Sequence, residues 1–505
     1  MTTTTAGGAR PATERRAGTA PSTPEPAFGS PLVTSVLGVL GGLVALLALA
    51  LSLRHVADRF QINHTSGVWL ALAQAFRHGS LYVPMHAGDH YGGGRYMPLG
   101  IILDGTASKV VGSEIIGSKL VSLVIGACLF ALVVHVCRRL GCDRATAIGL
   151  AAVPFATIVG LEQVAGVRND ILPVVLELAA VAIVWEWESR RAPVVGGAVA
   201  GLAFAAKTAS IWGLAVVVWW CWRRSGRTAA VQAAIAGVAV PGAVLAVCGA
   251  VSHGNLFPAV FGSGSFWPPH VIGLLQTVGQ DQLQYVVGVL PLFGLVVALL
   301  LLPGALARTP FPVALIAAIV VTIPLFLDNG ITANHFIDIL VLTAVVAATV
   351  VRQPQPYGPV LASAVRVVAV VGLVIGLTGV YAWPLLHRDH TLGWHQFAAE
   401  VRPGDRILSE DSSVPVSLGQ RPQVLDAFAL HLLDKRHPAQ VQPLIDEINN
   451  RQFSKVLLTG RPESDTTGFF SLDFGPRVIA AIERNYHFDH VRGGLDIYVP
   501  NARRA

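Results

Sequence analysis

Eleven stretches of this chain are apolar over much of the length that a membrane crossing needs, and no other feature limits its fold as strongly. They fall at 31–53, 115–137, 145–161, 171–187, 193–206, 208–222, 229–251, 284–303, 311–327, 335–351 and 367–386. A helix rises about 1.5 Å per residue and needs roughly 20 apolar residues to cross a bilayer core. The stretch 193–222 divides at Lys207, because one helix of that length would carry basic ends to opposite faces. Charged residues make up 13% of the 505, against about 25% in soluble proteins. With 53% hydrophobic residues and a mean hydropathy of +0.59, the chain cannot build the surface of an ordinary cytosolic enzyme. A disordered or fibrous chain is excluded on the same ground. The five cysteines lie in or beside apolar runs and lack metal-site spacing, so no disulfide framework is expected. The net charge of +6 fits basic cytoplasmic loops rather than a nucleic-acid partner.

Basic residues orient the spans. Arg10, Arg15 and Arg16 precede the first run; Arg138, Arg139 and Arg144 separate the second and third; Arg190 and Arg191 follow the fourth. Arg223, Arg224 and Arg227, then Arg308, then Arg352 and Arg366 follow the sixth, eighth and tenth. All fall on one side when the N-terminus is cytoplasmic, the exception being the long loop after the first span, which carries Arg54, Arg59, Arg77 and Arg95 on the outside. The expected fold is an all-α polytopic membrane protein of about eleven spans, N-terminus in and C-terminus out. Residues 1–30, rich in Thr, Ala, Pro and Gly, read as a disordered cytoplasmic tail. The run 31–53 is long enough to be an anchor rather than a cleaved signal. The membrane domain is 31–386, with a large outer loop at 54–100. Mixed charge and turn signals mark 387–505 as a small extracytoplasmic α/β domain. In it, DRILSED, FSKVLLTG and LDIYVP read as strands and HPAQVQPLIDEINNRQ as an amphipathic helix. It has no nucleophile elbow, metal cluster or phosphate loop, so it reads as an accessory domain.

The outer loop concentrates the polar chemistry. Val68, Leu72, Ala75 and Phe76 share a helical face suited to the membrane surface. Beyond it, Asp89-His90-Tyr91 leads through three glycines to Arg95-Tyr96-Met97-Pro98-Leu99. The charge-derived topology sets this loop, Asp170, Lys207 and the stretch 328–338 on one face. Polar groups gathered on one face, rather than at the midplane, argue against a transporter.

These segments resemble elements of the polytopic GT-C glycosyltransferases, closest to the protein mannosyltransferase and aminoarabinose transferase group. Ala71-Leu72-Ala73, Gly79-Ser80-Leu81-Tyr82-Val83-Pro84, Tyr91 and Arg95 through Leu99 are similar to that group's first outer loop. Val167-Arg168-Asn169-Asp170-Ile171-Leu172 resembles its Arg-x-Asp-x-Leu element, and Gly201-Leu202 through Lys207 its Gly-Leu-x-x-x-x-Lys element. Gly330-Ile331 through Asp338 resembles the Asn-aromatic element opening a late span, and the soluble tail resembles those of bacterial members.

The resemblance implies transfer of a sugar from a polyprenyl-phosphate carrier to an envelope glycan, lipid or protein on the outer face of a bacterial plasma membrane, by inverting chemistry. Such a reaction needs a base for the acceptor hydroxyl and cations for the leaving phosphate. Asp58, Asp89 and Asp170 are the candidate catalytic carboxylates. Arg95, Lys207 and His90 are the candidates for the donor phosphate, with Tyr91, Tyr96, Asn334, His335 and Asp338 lining the site. Glu177, inside the fourth run, is expected to pair within the bundle. A divalent metal, Mg or Mn, stays open as a cofactor, with no ligand set assigned. One departure stands out: the acidic pair that many members carry before the surface helix is here Thr65-Ser66, neither of which can be a carboxylate base. The alternative is therefore a non-catalytic scaffold or lipid-binding protein of envelope biogenesis.

Overall fold

A computed structural model describes residues 31–88, 90–262, 283–301, 309–326, 332–351, 358–387, 390–402, 404–462 and 473–502. The tail 1–30, Asp89, Arg308, Arg352 and the Gly330-Ile331 opening of the last motif lie outside them. Helices dominate. The first is α1 (Pro31–Arg54), followed in the outer loop by α2 (His64–Arg77) and α3 (Pro98–Val111). Then come α4 (Glu114–Arg139), α5 (Arg144–Ala152), α6 (Ile158–Ala165), α7 (Ile171–Glu186), α8 (Ala192–Ala206), α9 (Trp212–Ser225) and α10 (Arg227–Val251). Later helices at Leu290–Leu300, Phe311–Leu325, Ile337–Val351 and Gly358–Gly376 complete the bundle.

Each of the eleven apolar runs carries a helix, but their lengths differ from the expectation. Pro31–Arg54, Glu114–Arg139, Arg227–Val251, Ala333–Val351 and Gly358–Leu386 are long and apolar enough to cross a membrane alone. A sixth crossing would be the pair Arg144–Ala156 and Ile158–Ala165, bent by 87°. By length and composition the described helices thus reach five or six crossings against eleven expected. The break in 145–161 has a local cause. The Thr157 hydroxyl donates to the Pro154 carbonyl at 2.7 Å and accepts from the Gly160 amide at 3.0 Å, capping a new helix instead of extending the old one. Polar residues shorten others: α7 starts after Asp170 and α8 stops at Lys207, where the chain breaks as its sequence suggested. Close backbone approach joins α8 to α10. A Cβ on Gly201 would stand 2.6 Å from the Gly237 carbonyl oxygen, and one on Gly197 would collide with the Ala233 carbonyl.

The bundle has two chemically distinct ends. At one, Arg139 pairs with Glu186 at 3.3 Å, Arg224 with Glu188 at 3.5 Å and Arg366 with Asp143 at 3.4 Å. At the other lie the starts of α7 and α9, the end of α8, the outer loop and the C-terminal residues. The latter form a four-stranded sheet, order β1-β2-β4-β3, from Ile407–Ser409, Lys455–Leu458, Tyr486–Arg492 and Leu495–Pro500. β1 runs parallel to β2, and β4 is antiparallel to both β2 and β3. Helices Ala427–Arg436, Pro438–Asn449 and Pro476–Asn485 cover it. Strands β1, β2 and β4 lie where the sequence placed them. β3 and the helices Ala427–Arg436 and Pro476–Asn485 were not anticipated.

The outer loop is stitched into this sheet domain. Tyr91 is buried in the domain's core, donating its hydroxyl to the Gln440 carbonyl and accepting from the Leu444 amide, both at 3.2 Å. Its backbone bonds Gln423 and Leu425. Arg59 reaches the Gly493 carbonyl and lies 3.8 Å from Asp411. Consequently the Val68 and Leu72 side of α2, expected to meet the membrane surface, packs against protein. Val68 through Gln74 are all buried, because the sheet domain covers the face that amphipathicity would have left wet.

Candidate active site

A cavity of about 430 Å³ opens where the outer loop, the ends of α7 and α8, the Asn334 turn and the sheet domain meet. Its cationic side begins at Arg95. Gly93 (φ +125°) and Gly94 (φ +92°) carry the chain into a gap where a Cβ would meet Ala429 and Leu72, each at 2.8 Å. Emerging from that gap, Arg95 stacks 4.3 Å over the Phe428 ring. Tyr96 follows, packed 4.2 Å from Trp69. The second cation is Arg168. The Asn169 amide donates to Asp104 at 2.7 Å and pins the turn that presents it. Arg168 is 6% exposed, and its guanidinium makes no hydrogen bond or ion pair among the described residues. A buried cation that makes no direct ion pair and faces a cavity is well placed to receive an anion.

Lys207 is the third cation, and it is already paired. Its ammonium donates to Asp170 at 2.7 Å, and Asn334 donates to the other Asp170 oxygen at 2.7 Å. Burial pushes the Asp170 carboxyl up, but Lys207 and Arg168 outweigh it and hold it well below the ordinary carboxylate range. Asp170 therefore stays ionised and anchors Lys207. His335 lines the cavity beside them.

The opposite wall comes from α2 and the sheet domain: His64, Thr65, Glu410, Asp426, Phe428 and Asp473. Glu410 accepts from the Thr459 hydroxyl and amide and from the Asp473 amide. Asp426 caps its helix through the Ala429 amide at 3.0 Å. Asp473 stands 3.7 Å from His64 Nε2. Burial pushes the Asp473 carboxyl up to about 7, Asp426 adding to the rise and Arg95 offsetting part of it. Burial and then Arg168 lower His64, which keeps its imidazole neutral.

The sequence-derived candidates divide accordingly. Arg95, Tyr96, Asp170, Lys207, Asn334 and His335 meet at this cavity. Asp58 does not: it sits near α1, 2.6 Å from His55, where the buried Lys119 ammonium gathers the His55, Asp58 and Phe60 carbonyls. Asp89 lies outside the described residues. His90 and Tyr91 face the seam between loop and sheet domain, because the Tyr91 ring is drawn into the domain's core. Asp338 lies behind the lining and accepts from the Trp212 indole at 2.8 Å. Glu177 is fully buried and accepts from the Gly213 amide at 2.9 Å. Arg168 stood inside a quoted motif yet was passed over for its neighbour Asp170. Asp426 and Asp473 carried no local signal at all, being ordinary tail acids until the domain docks. Among the described residues no three His, Cys, Asp or Glu side chains come together as metal ligands.

Comparison with known proteins shows what this chain is similar to. Residues 93–223 match the family model of the alpha-(1->6)-mannopyranosyltransferase N-terminal domain. No curated protein sequence matches the chain. Among solved structures it is similar to ArnT from Cupriavidus metallidurans bound to undecaprenyl phosphate, with TM-score 0.59 and 11% identity, covering 92% of this chain and 98% of that one. The Archaeoglobus fulgidus oligosaccharyltransferase in its apo form matches with TM-score 0.51 and 10% identity, over 92% and 74% of the two chains. The chain thus carries the fold of the polytopic GT-C glycosyltransferases that its sequence resembles, with a mannopyranosyltransferase match across the segment that supplies Arg95, Arg168, Asp170 and Lys207.

Proposed function

We propose that the protein transfers a sugar, mannose on the family match, from a polyprenyl-phosphate carrier to an envelope glycan, lipid or protein. The observation that carries this reading is Arg168, a buried guanidinium with no ion pair among the described residues, which lines with Arg95 a cavity of a carrier-using fold. A sugar phosphodiester brings one negative charge, and its departure leaves a phosphate with two. Arg95 and Arg168 compensate that growth more effectively than Lys207, whose charge Asp170 already matches. Arginine's planar fork also grips two phosphate oxygens at once. The arginine-rich end of the bundle supports a cytoplasmic placement for that end, with the cavity on the outer face.

Single displacement inverts the sugar's anomeric carbon, so an α linkage requires a β-linked donor. The test is turnover by the full chain in lipid nanodiscs. β-Linked polyprenyl-phosphate mannose should be consumed and the α-linked isomer left untouched. Consumption of neither, with undecaprenyl phosphate still bound, favours the second reading, a lipid-binding scaffold. Thr65-Ser66 in place of the acidic pair is the observation that keeps that reading in view.

A further inference from the structure

Resting on that transferase reading, we infer that the C-terminal domain completes the active site, Asp473 being the base that takes the acceptor's proton. Three of the domain's carboxylates reach the cavity, and their bonding separates them. Glu410 is spent on Thr459 and on the Asp473 amide, so it holds the Asp473 backbone. Asp426 commits one carboxylate oxygen to capping a helix. The Asp473 carboxylate accepts no hydrogen bond among the described residues and has a side chain 14% exposed, with His64 3.7 Å away. Arg168, with no ion pair among the described residues, opens into the same cavity and marks it, independently of the acids, as a place for an anionic ligand. The alternatives are worse placed: Asp170 has both oxygens occupied, Asp58 lies elsewhere, and Thr65 cannot accept a proton at neutral pH. A base works best when its affinity for protons matches the working pH, and the partly desolvated Asp473 meets that condition.

The step balances as follows. The acceptor hydroxyl gives its proton to an Asp473 oxygen as its own oxygen bonds the sugar's C1. The bond from C1 to the phosphate oxygen breaks, and its electron pair leaves with the carrier. The carrier phosphate departs with two negative charges beside Arg95 and Arg168, and the neutral Asp473 returns its proton to water.

The full chain in nanodiscs tests this with undecaprenyl phosphate for binding and β-undecaprenyl-phosphate mannose plus an α-1,6-linked mannoside for turnover. Asp473→Asn should lower kcat by about 10²- to 10⁴-fold while undecaprenyl phosphate affinity holds or tightens. Retained affinity doubles as the control for folding. In the unaltered chain, activity should climb as pH rises through about 7 and then level, and Asp473→Asn should abolish that limb. Asp473→Glu should restore part of kcat together with a limb. If the unaltered chain turns over donor and Asp473→Asn stays within threefold with its limb intact, the base is overturned and the transferase reading stands. An unaltered chain that turns over no donor overturns the transferase reading, and this inference with it.

Discussion

Arg168 shows how much one residue's surroundings decide. Its neighbours in sequence suggested Asp170 as the reactive group, since a carboxylate at a helix start is a natural candidate. In the folded chain Asp170 is paired with Lys207 and hydrogen-bonded by Asn334, whereas Arg168 makes no ion pair among the described residues. Removing Arg168's head group with Arg168→Ala should weaken undecaprenyl phosphate binding roughly ten- to hundredfold, the equivalent of about 1.5–3 kcal/mol for a charge-assisted hydrogen bond. Arg168→Lys should recover part of it, and isothermal titration on both variants checks the order. Asp473 carries a stability signature as well. Its folded value of about 7 exceeds the ordinary 3.8, so the folded chain binds this proton more tightly than the unfolded one. The cost is absent below about pH 4, where both states are protonated, and complete above about pH 7, where both are ionised. Asp473→Asn should therefore raise the thermal midpoint at about pH 8 and leave it unchanged at about pH 4, by differential scanning fluorimetry.

Among the elements, α8 and α10 depend on the absence of side chains. Glycines 197 and 201 let the α10 backbone approach within contact of α8. Gly201→Val should cost about 1–3 kcal/mol through overpacking, read as a lower midpoint and a lower yield of monodisperse protein. Because α8 ends at Lys207, activity should fall with it. Apolarity identified both runs from sequence alone, and the length and basic ends of 193–222 identified the break at Lys207. They did not identify the break at Thr157. A threonine inside an apolar run is common, and only the bond from its hydroxyl to the Pro154 carbonyl makes it a cap. Helix α2 was legible as a helix from its periodicity, but not its burial. The cover over it comes from residues more than 300 positions away, such as Gln420, whose carbonyl accepts from Gln74.

For the whole molecule, the sheet domain stops being an appendage. It takes Tyr91 into its core, stacks Phe428 under Arg95 and walls the cavity with Asp426 and Asp473. A chain ending near residue 386 should lose turnover completely. It should keep measurable but weakened undecaprenyl phosphate binding, since Arg95 loses its aromatic support while Arg168 stays in place. A reporter active only in the cytoplasm, fused after His390, should stay silent if the cavity end faces outward.

What the sequence determined by itself follows from short-range physics. Apolar runs demand helices, arginines cluster at one end, and short apolar runs between turn signals in the tail yield β1, β2 and β4. The resemblance to GT-C glycosyltransferases was likewise readable, because its motifs are contiguous. Tertiary structure alone decided which charges are spent and which are free. Lys207 is quenched by a partner 37 residues away, Asp170 is also held from 164 residues away, and Asp473 reaches His64 only across the docked domain. Charge compensation acts through space over a few ångströms, and sequence separation does not measure that distance.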